Sequence, residues 1–161
     1  MRNSGTRSRA GRAAGLVLAV CAALAAGAPQ AAPAEPRRPE VSMYKTPTCG
    51  CCGKWAEHLE RNGFRVVVHE QADLSQLKRE NRIPAELSAC HTAFVGGYVI
   101  EGHVPAADIA RLLAERPKLA GLGVPGMPEG SPGMEGPKPE RYRVYGFDSK
   151  GALEVFATHG P

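Results

Sequence analysis

The chain has 161 residues, a formal net charge of +4 and five cysteines. Residues 1–34 contain four arginines and no acidic residue, so the net charge of the remaining 127 residues is zero. That neutrality excludes the basic surface on which nucleic-acid binding depends, and the length suits one domain with a single modest core. The sequence contains no internal repeat and shows no sign of a second domain.

The N-terminus has the layout of a secretory signal peptide. Four arginines precede an uncharged run rich in Ala, Leu and Val over residues 13–28, and Ala-Pro-Ala at 32–34 offers a cleavage site. An uncleaved membrane anchor is the alternative, but the run is shorter than the about 20 apolar residues that span a bilayer. A lipoprotein signal is excluded because Cys21 lies inside the apolar run and follows Val20, where a small residue would be needed.

The leader predicts how the chain is organised and where it works. We expect a signal peptide over 1–34, a short polar linker over 35–40 and one mature domain over 41–161. We expect the mature protein in the periplasm. Its contact with the membrane is therefore expected only during export.

Hydrophobic periodicity predicts strands and helices in alternation after the linker. Apolar residues recur at helical spacing from Cys52 to Leu59, and Gly63 then stops the helix. The pair Gly96-Gly97 between two short β-branched runs is typical of a hairpin. The predicted strands are 41–45, 64–69, 92–95, 98–101, 142–147 and 153–157, and the predicted helices start at 51 or 52, at 73 and at 105. The fold class is therefore α/β, with a βαβαββα core and a C-terminal β-hairpin.

A long Gly/Pro/Met loop separates the core from that hairpin. Eleven of the twenty-two residues from 119 to 140 are Gly or Pro, which predicts no regular structure there. A loop of this length inside a compact domain is usually functional or disordered.

Four cysteines remain after export: Cys49, Cys51, Cys52 and Cys90. Two structural disulfides are the ordinary expectation in an oxidising compartment. However, the adjacent Cys51 and Cys52 cannot bridge each other without strain, and a bridge within 49–52 closes too short a loop to stabilise a fold. A purely structural role is the less favoured alternative.

The cluster at 49–52 lies between the first predicted strand and the first predicted helix. Unpaired N–H groups and the positive end of the helix dipole favour thiolates there, and a thiolate is both a nucleophile and a metal ligand. Neighbouring thiolates chelate a soft ion, for which Cu(I) is favoured over zinc. Dithiol redox chemistry is the alternative use of the same residues.

The βαβαββα order with cysteines after the first strand resembles the thioredoxin superfamily, which places Cys-X-X-Cys at this position. More specifically, the run Thr-Pro-Thr-Cys-Gly-Cys-Cys-Gly at 46–53, with Trp55 and His58, resembles the CopG-like family of periplasmic copper-resistance proteins. So do the motifs Ala-Cys-His-Thr at 89–92, Glu-Gly-His-Val-Pro at 101–105, and Val-Pro-Gly-Met at 124–127 through Gly133-Met134. The resemblance implies a thioredoxin-like domain that binds copper through these cysteines and interconverts Cu(I) and Cu(II).

Further candidate ligands lie outside the cluster. In the thioredoxin superfamily a cis-proline loop opposite the cysteines docks extended substrates, and here Cys90 and His91 fall at the matching position, which favours metal coordination. Met127 and Met134 lie in the Gly/Pro loop, where soft thioethers suit Cu(I) and packing on apolar surface is the alternative. His103 follows the hairpin at the same end of the sheet. The predicted metal ligands are Cys49, Cys51, Cys52, Cys90, His91, His103, Met127 and Met134.

The sequence thus predicts a periplasmic copper-binding protein of copper resistance or homeostasis. Its expected cargo is Cu(I), and also Cu(II) if the protein changes the oxidation state of copper. Its expected partners are other periplasmic copper-handling proteins. A copper oxidoreductase is the enzymatic form of this prediction. The alternatives are a thiol-disulfide oxidoreductase acting on proteins, and a copper chaperone of the ferredoxin-like type, whose βαββαβ order differs from the one predicted here.

Overall fold

The computed structural model describes residues 38–161. The predicted signal peptide over 1–34, with Cys21, and the first part of the linker lie outside the described residues. Within the described part of the chain, no helix is long and apolar enough to cross a membrane.

The described residues form a mixed α/β fold with a seven-stranded sheet and three α-helices. The strands are β1 (Glu40–Lys45), β2 (Arg65–Glu70), β3 (His91–Val95), β4 (Tyr98–Glu101), β5 (Gly121–Gly123), β6 (Tyr142–Phe147) and β7 (Leu153–His159). The helices are α1 (Gly50–Arg61), α2 (Ser75–Glu80) and α3 (Ala106–Glu115), with a 3-10 turn at Ala85–Leu87. The order βαβαββα predicted for the first seven elements is confirmed.

Helix boundaries follow the local sequence closely. Helix α1 begins at Gly50, slightly earlier than predicted, after Cys49 in extended conformation. Asp73 lies just before α2, where its carboxylate accepts the backbone N–H of Ser75 at 2.8 Å. An acidic side chain at that point supplies an acceptor to a backbone donor that the helix itself cannot satisfy.

The sheet has the order β2-β1-β3-β4-β5-β6-β7. Strand β1 is parallel to β2 and antiparallel to β3, and β4 is parallel to β5. In this register Lys45 lies opposite His91, Thr92 opposite Glu101, and Glu101 opposite Gly123. The C-terminal ends of β1, β4 and β5 therefore meet the start of β3 at one end of the sheet, which we call the upper end.

The expectation of no regular structure from 119 to 140 is wrong at β5. These three residues pair with both β4 and β6 and are buried, so the C-terminal hairpin continues the same sheet. A side chain at position 121 would overlap the Val99 carbonyl and the Phe147 ring. Glycine thus permits the close approach, and tertiary pairing overrides its low intrinsic strand preference.

The core lies between the sheet and the helices. Met43 and Trp55 have no exposed surface, and the Trp55 indole N–H donates to the Val104 carbonyl at 2.9 Å. Leu59, Ile109 and Leu112 are also fully buried, and burial of each such side chain contributes about 1.5–3 kcal/mol. This packing fixes α1, and with it the loop between β1 and α1, against the sheet.

Candidate metal site at the upper end of the sheet

Hydrogen bonds hold the turn after β1, which carries three cysteines, from both sides. The Cys49 backbone N–H donates to the Thr46 carbonyl at 3.1 Å, which closes the turn after β1. The Lys45 ammonium, which is almost buried, donates to the same carbonyl at 3.1 Å and to a Glu70 carboxylate oxygen at 3.2 Å. The sulfurs of Cys49, Cys51 and Cys52 all lie within 4.8 Å of one another. We call these three residues the cysteine turn.

Two members of the cysteine turn are oxidised. A disulfide joins Cys49 to Cys52, whose Cα atoms are 5.5 Å apart, whereas Cys51 and Cys90 are free thiols. The Cys51 sulfur lies 3.6 Å from that of Cys49. A bridge between residues three apart closes a minimal loop and constrains the unfolded chain little. The disulfide can instead accept two electrons. Its reduction makes three neighbouring thiols available to bind a metal.

A second pair of sulfurs lies at the same end of the sheet. The Cys90 thiol, just before β3, is 3.6 Å from the Met127 thioether of the Gly/Pro loop. Burial raises the pKa of the Cys90 thiol, Cys51 acts in the same direction, and the Lys78 ammonium opposes them. Met127 is 50% exposed, so packing on apolar surface does not account for its position. We call Cys90 and Met127 the sulfur pair.

The Gly/Pro loop passes directly over the start of α1. Gly133 has a φ of +86°, and a Cβ there would lie 2.9 Å from both the Cys51 carbonyl oxygen and the Trp55 backbone nitrogen. Its own N–H donates to Glu135 at 2.8 Å, which holds the pKa of that carboxyl below its ordinary value. The loop thereby forms one wall of an open cavity of about 720 Å³, lined among others by Cys51, Lys54, Met127, Met134 and Glu129.

The two predicted histidine ligands lie deeper, behind the cysteine turn. His91 is fully buried between Trp55 and His103, with ring centroids 4.4 and 5.3 Å away. Burial, reinforced by His103 and Lys78, lowers the pKa of His91 to about 3, so the imidazole is neutral at ordinary pH. His103 bonds the Pro132 carbonyl through Nδ1 at 2.8 Å. Among the described residues, His103 Nε2 and both nitrogens of His91 have no hydrogen-bond partner.

The structure therefore gathers seven of the eight predicted ligands into three groups, with Met134 apart from them. The cysteine turn is the only set of three close donors of the His, Cys, Asp and Glu types in the described part of the chain. The sulfur pair is a separate contact, and Met127 joins Met134 in lining the cavity above Cys51. His91 contacts both His103 and Trp55, and neither histidine belongs to the set of three.

Solved structures and a family model match this chain. Two structures of a copper resistance protein CopG, in form 2 and form 1, are 43% identical to it with a TM-score of 0.73. They cover 77% and 78% of this chain, which in turn covers 100% of each of them. The chain belongs to the CopG family. The model of a protein family of unknown function, DUF411, matches residues 87–134, and no curated protein sequence is significantly similar.

The part of this CopG-family chain that matches DUF411 contains Cys90, His91, His103, Met127 and Met134. It does not contain the cysteine turn, which lies within α1 and the residue before it. The candidate site is thus assembled from two segments far apart in the sequence, which the register of β1 with β3 brings together.

Three residues that are not among the predicted ligands support this CopG-family site. His58 is half-buried, and its Nε2 accepts the backbone N–H of Ala106 at the start of α3. Lys78 and Glu101 form an ion pair in which Glu101 is fully buried. A charged residue ending a short, otherwise apolar strand is the only sequence signal that could have indicated the pair.

Proposed function

We propose that the protein binds copper in the periplasm, holding Cu(I) between the cysteine turn and the sulfur pair. The observation that carries the proposal is the cysteine turn itself, in which three sulfurs lie within 4.8 Å of one another. The similarity to copper resistance protein CopG supports copper as the ion. Copper is the cargo of this site.

The chemistry of the donors supports copper over zinc. Thiolate and thioether sulfurs are soft ligands that select Cu(I), whereas structural zinc sites take four ligands from Cys and His. The thioethers of Met127 and Met134 line the cavity above Cys51 and remain neutral at every pH. The neutral imidazoles of His91 and His103 would add nitrogen donors from the buried side, where three ring nitrogens lack partners among the described residues.

We further propose that the site interconverts Cu(II) and Cu(I). In the reducing direction Cys49 and Cys52 each give one electron to one Cu(II), so that two Cu(II) become two Cu(I) and one S–S bond forms. Any protons on the two thiols leave to solvent. Reopening the disulfide requires two electrons, which a dithiol reductant supplies as it becomes a disulfide. Support comes from the Cys49–Cys52 bridge, which is the oxidised product of this step.

The proposed core is thioredoxin-like. Support comes from the sheet, in which β1 is flanked by a parallel β2 and an antiparallel β3, and from a Cys-X-X-Cys at the start of α1. In this proposal Cys90 and His91 take the position from which that fold docks extended substrates, and they contact Met127 and Trp55 instead.

Export is part of the proposal. The arginines and apolar run of residues 1–34 support a cleaved signal peptide. Intact mass spectrometry of protein recovered from the periplasm should give a chain that starts near Glu35. Recovery of the full-length chain in the inner-membrane fraction would contradict this part of the proposal.

The proposal is tested by the metal content of protein purified from the periplasm, and by competition for Cu(I) with a chromophoric chelator. We expect copper in the purified protein, and retention of Cu(I) by the reduced protein against the chelator. Anaerobic addition of Cu(II) to the reduced protein should yield two Cu(I) for each Cys49–Cys52 disulfide formed. A protein that contains no copper and does not compete with the chelator would refute the copper proposal.

A second candidate function is thiol-disulfide exchange on protein substrates, which the Cys49–Cys52 disulfide at a helix N-terminus also favours. Reduction of insulin separates the two functions. Copper binding predicts little insulin reduction, and a copper defect in both Cys90→Ala and His91→Ala. The exchange function predicts rapid insulin reduction, copper binding indifferent to both changes, and faster exchange in His91→Pro.

A further inference from the structure

A buried carboxylate lies between the strands that carry the site. Glu101, the last residue of β4, has no exposed surface. Its Oε2 accepts the Thr92 hydroxyl at 2.7 Å, and its Oε1 accepts the backbone N–H of Ala89 at 2.7 Å. The Lys78 ammonium pairs with the same Oε1 and donates to the Thr92 hydroxyl at 2.9 Å. Both carboxylate oxygens are therefore satisfied, and the charge is neutralised.

Stability alone does not account for this arrangement. The desolvation of two buried charges can offset their attraction, and apolar replacements of a whole buried pair are often neutral or stabilising. The pair instead fixes the positions of two segments. Glu101 Oε1 accepts hydrogen bonds from the Lys78 side chain on α2 and from the Ala89 backbone in a loop.

The backbone groups bonded to Glu101 belong to the two segments that carry the sulfur pair. Ala89, whose N–H it accepts, immediately precedes Cys90. On the other side, the Glu101 backbone carbonyl accepts the N–H of Val124 at 3.0 Å, at the base of the loop that carries Met127. One residue thus ties down both segments whose sulfurs lie 3.6 Å apart.

We propose that Glu101, neutralised by Lys78, is a positioning residue that holds the Cys90 thiol at the copper site. The inference rests on the proposed function for the role of Cys90 as a copper ligand. The positioning itself is a property of the metal-free protein. Loss of the carboxylate leaves the Ala89 N–H without its acceptor and the Lys78 charge uncompensated, so the segment before β3 opens and Cys90, which is partly exposed, becomes more accessible.

The test measures thiol accessibility in the oxidised, metal-free protein. There Cys51 and Cys90 are the free thiols among the described cysteines, and neutral iodoacetamide labels both while peptide mass spectrometry separates them. Cys51 is the internal control, because it lies on α1. In Glu101→Leu we expect the Cys90 rate, relative to Cys51, to rise by about tenfold or more, the factor that a lost hydrogen bond to a charged group gives. Glu101→Gln, which keeps an acceptor oxygen, should give a smaller rise.

Two controls separate positioning from general destabilisation. Asp108→Asn removes the charge of another buried carboxylate, bonded to His159 on β7 rather than to the sulfur segments, and should leave the Cys90-to-Cys51 ratio unchanged. The double change Lys78→Met with Glu101→Leu removes both charges, so no unpaired charge remains to unfold the chain. Its stability should recover relative to Glu101→Leu, while Cys90 labelling stays fast. An unchanged labelling ratio in Glu101→Gln and in the double variant would overturn the inference, as would an equal rise in Asp108→Asn.

Cu(I) competition on the same variants distinguishes this inference from the proposed function. Faster Cys90 labelling together with weaker Cu(I) binding supports both. Faster labelling with unchanged Cu(I) binding supports the positioning role and removes Cys90 from the copper ligands. Failure of the unmodified protein to bind Cu(I) refutes the proposed function, while the labelling ratios still decide whether Glu101 positions Cys90.

Discussion

The cysteine turn and the sulfur pair place sulfur at the same end of the sheet by different means. The cysteine turn lies at the start of α1, where local hydrogen bonds and the burial of Cys52 and Trp55 fix its position. The sulfur pair joins two irregular segments 37 residues apart in sequence, and depends on tertiary contacts through Glu101 and the Gly/Pro loop. The cysteine turn is thus built into secondary structure, whereas the sulfur pair is assembled by the fold.

This difference predicts a ranking of effects, of which the largest belongs to the cysteine turn. Replacing Cys51 by Ser removes one of three clustered thiols but leaves the core unchanged, since Cys51 is only partly buried. We expect Cu(I) affinity to fall by more than the about 10–100-fold that loss of an outer-shell partner costs, with the circular dichroism unchanged. Cys49→Ser should act similarly, whereas Cys52→Ser should weaken Cu(I) binding and also lower stability, because Cys52 is fully buried in the core. Unchanged copper affinity in all three variants would show that the cysteine turn does not hold the ion.

A smaller effect is expected from the loop that covers the cysteine turn. Gly133→Ala forces a side chain into a φ of +86° and against backbone atoms of Cys51 and Trp55. Such strain costs about 1–3 kcal/mol, so the loop should lift and Cu(I) affinity should fall by about tenfold. The matched control is Gly151→Ala, where φ is +84° and a Cβ would meet nothing within 4 Å. If both variants lose the same copper affinity, the loop does not act as a cover.

Single thioethers should matter less than the loop as a whole. Met127→Leu keeps the volume of the side chain but removes a soft ligand that lies 3.6 Å from Cys90. We expect a loss of several-fold in Cu(I) affinity, measured by chelator competition, and a smaller loss for Met134→Leu. Met43→Leu, a fully buried methionine in β1, is the matched control and should alter stability alone. Equal affinities for Met127→Leu and the unmodified protein would remove Met127 from the site.

The smallest effect concerns the contact of His58, on α1, with the start of α3. Burial lowers the pKa of His58 below its ordinary value of 6.5, and the Arg61 guanidinium acts in the same direction. The neutral ring can then accept the Ala106 N–H. Its contribution to stability is therefore complete above about pH 6.5 and is lost as the pH falls toward the folded-state pKa. His58→Gln, which keeps an acceptor, should flatten the decline of Tm in that range. His69→Gln, at an exposed position on β2, should retain the slope of the unmodified protein.

The sequence allowed the elements and the cysteine turn to be predicted because both depend on local patterns. Helical spacing from Cys52 to Leu59 and the Gly96-Gly97 turn are short-range signals, and the structure has both elements. Strand β5 was missed because its three residues pair by tertiary contact, which no local preference reveals. The role of Glu101 was missed for the same reason, since Lys78 and Ala89 reach it from 23 and 12 residues away.

The most direct test of the account compares the two redox states of one protein. Cu(I) is titrated, under anaerobic conditions and against the same chelator, into the fully reduced protein and into the protein with the Cys49–Cys52 disulfide intact. Because the disulfide withdraws two of the three sulfurs of the cysteine turn, the reduced protein should bind Cu(I) tightly and the oxidised protein should lose most of that affinity. Equal Cu(I) affinity and stoichiometry in the two states would show that copper does not bind at the cysteine turn.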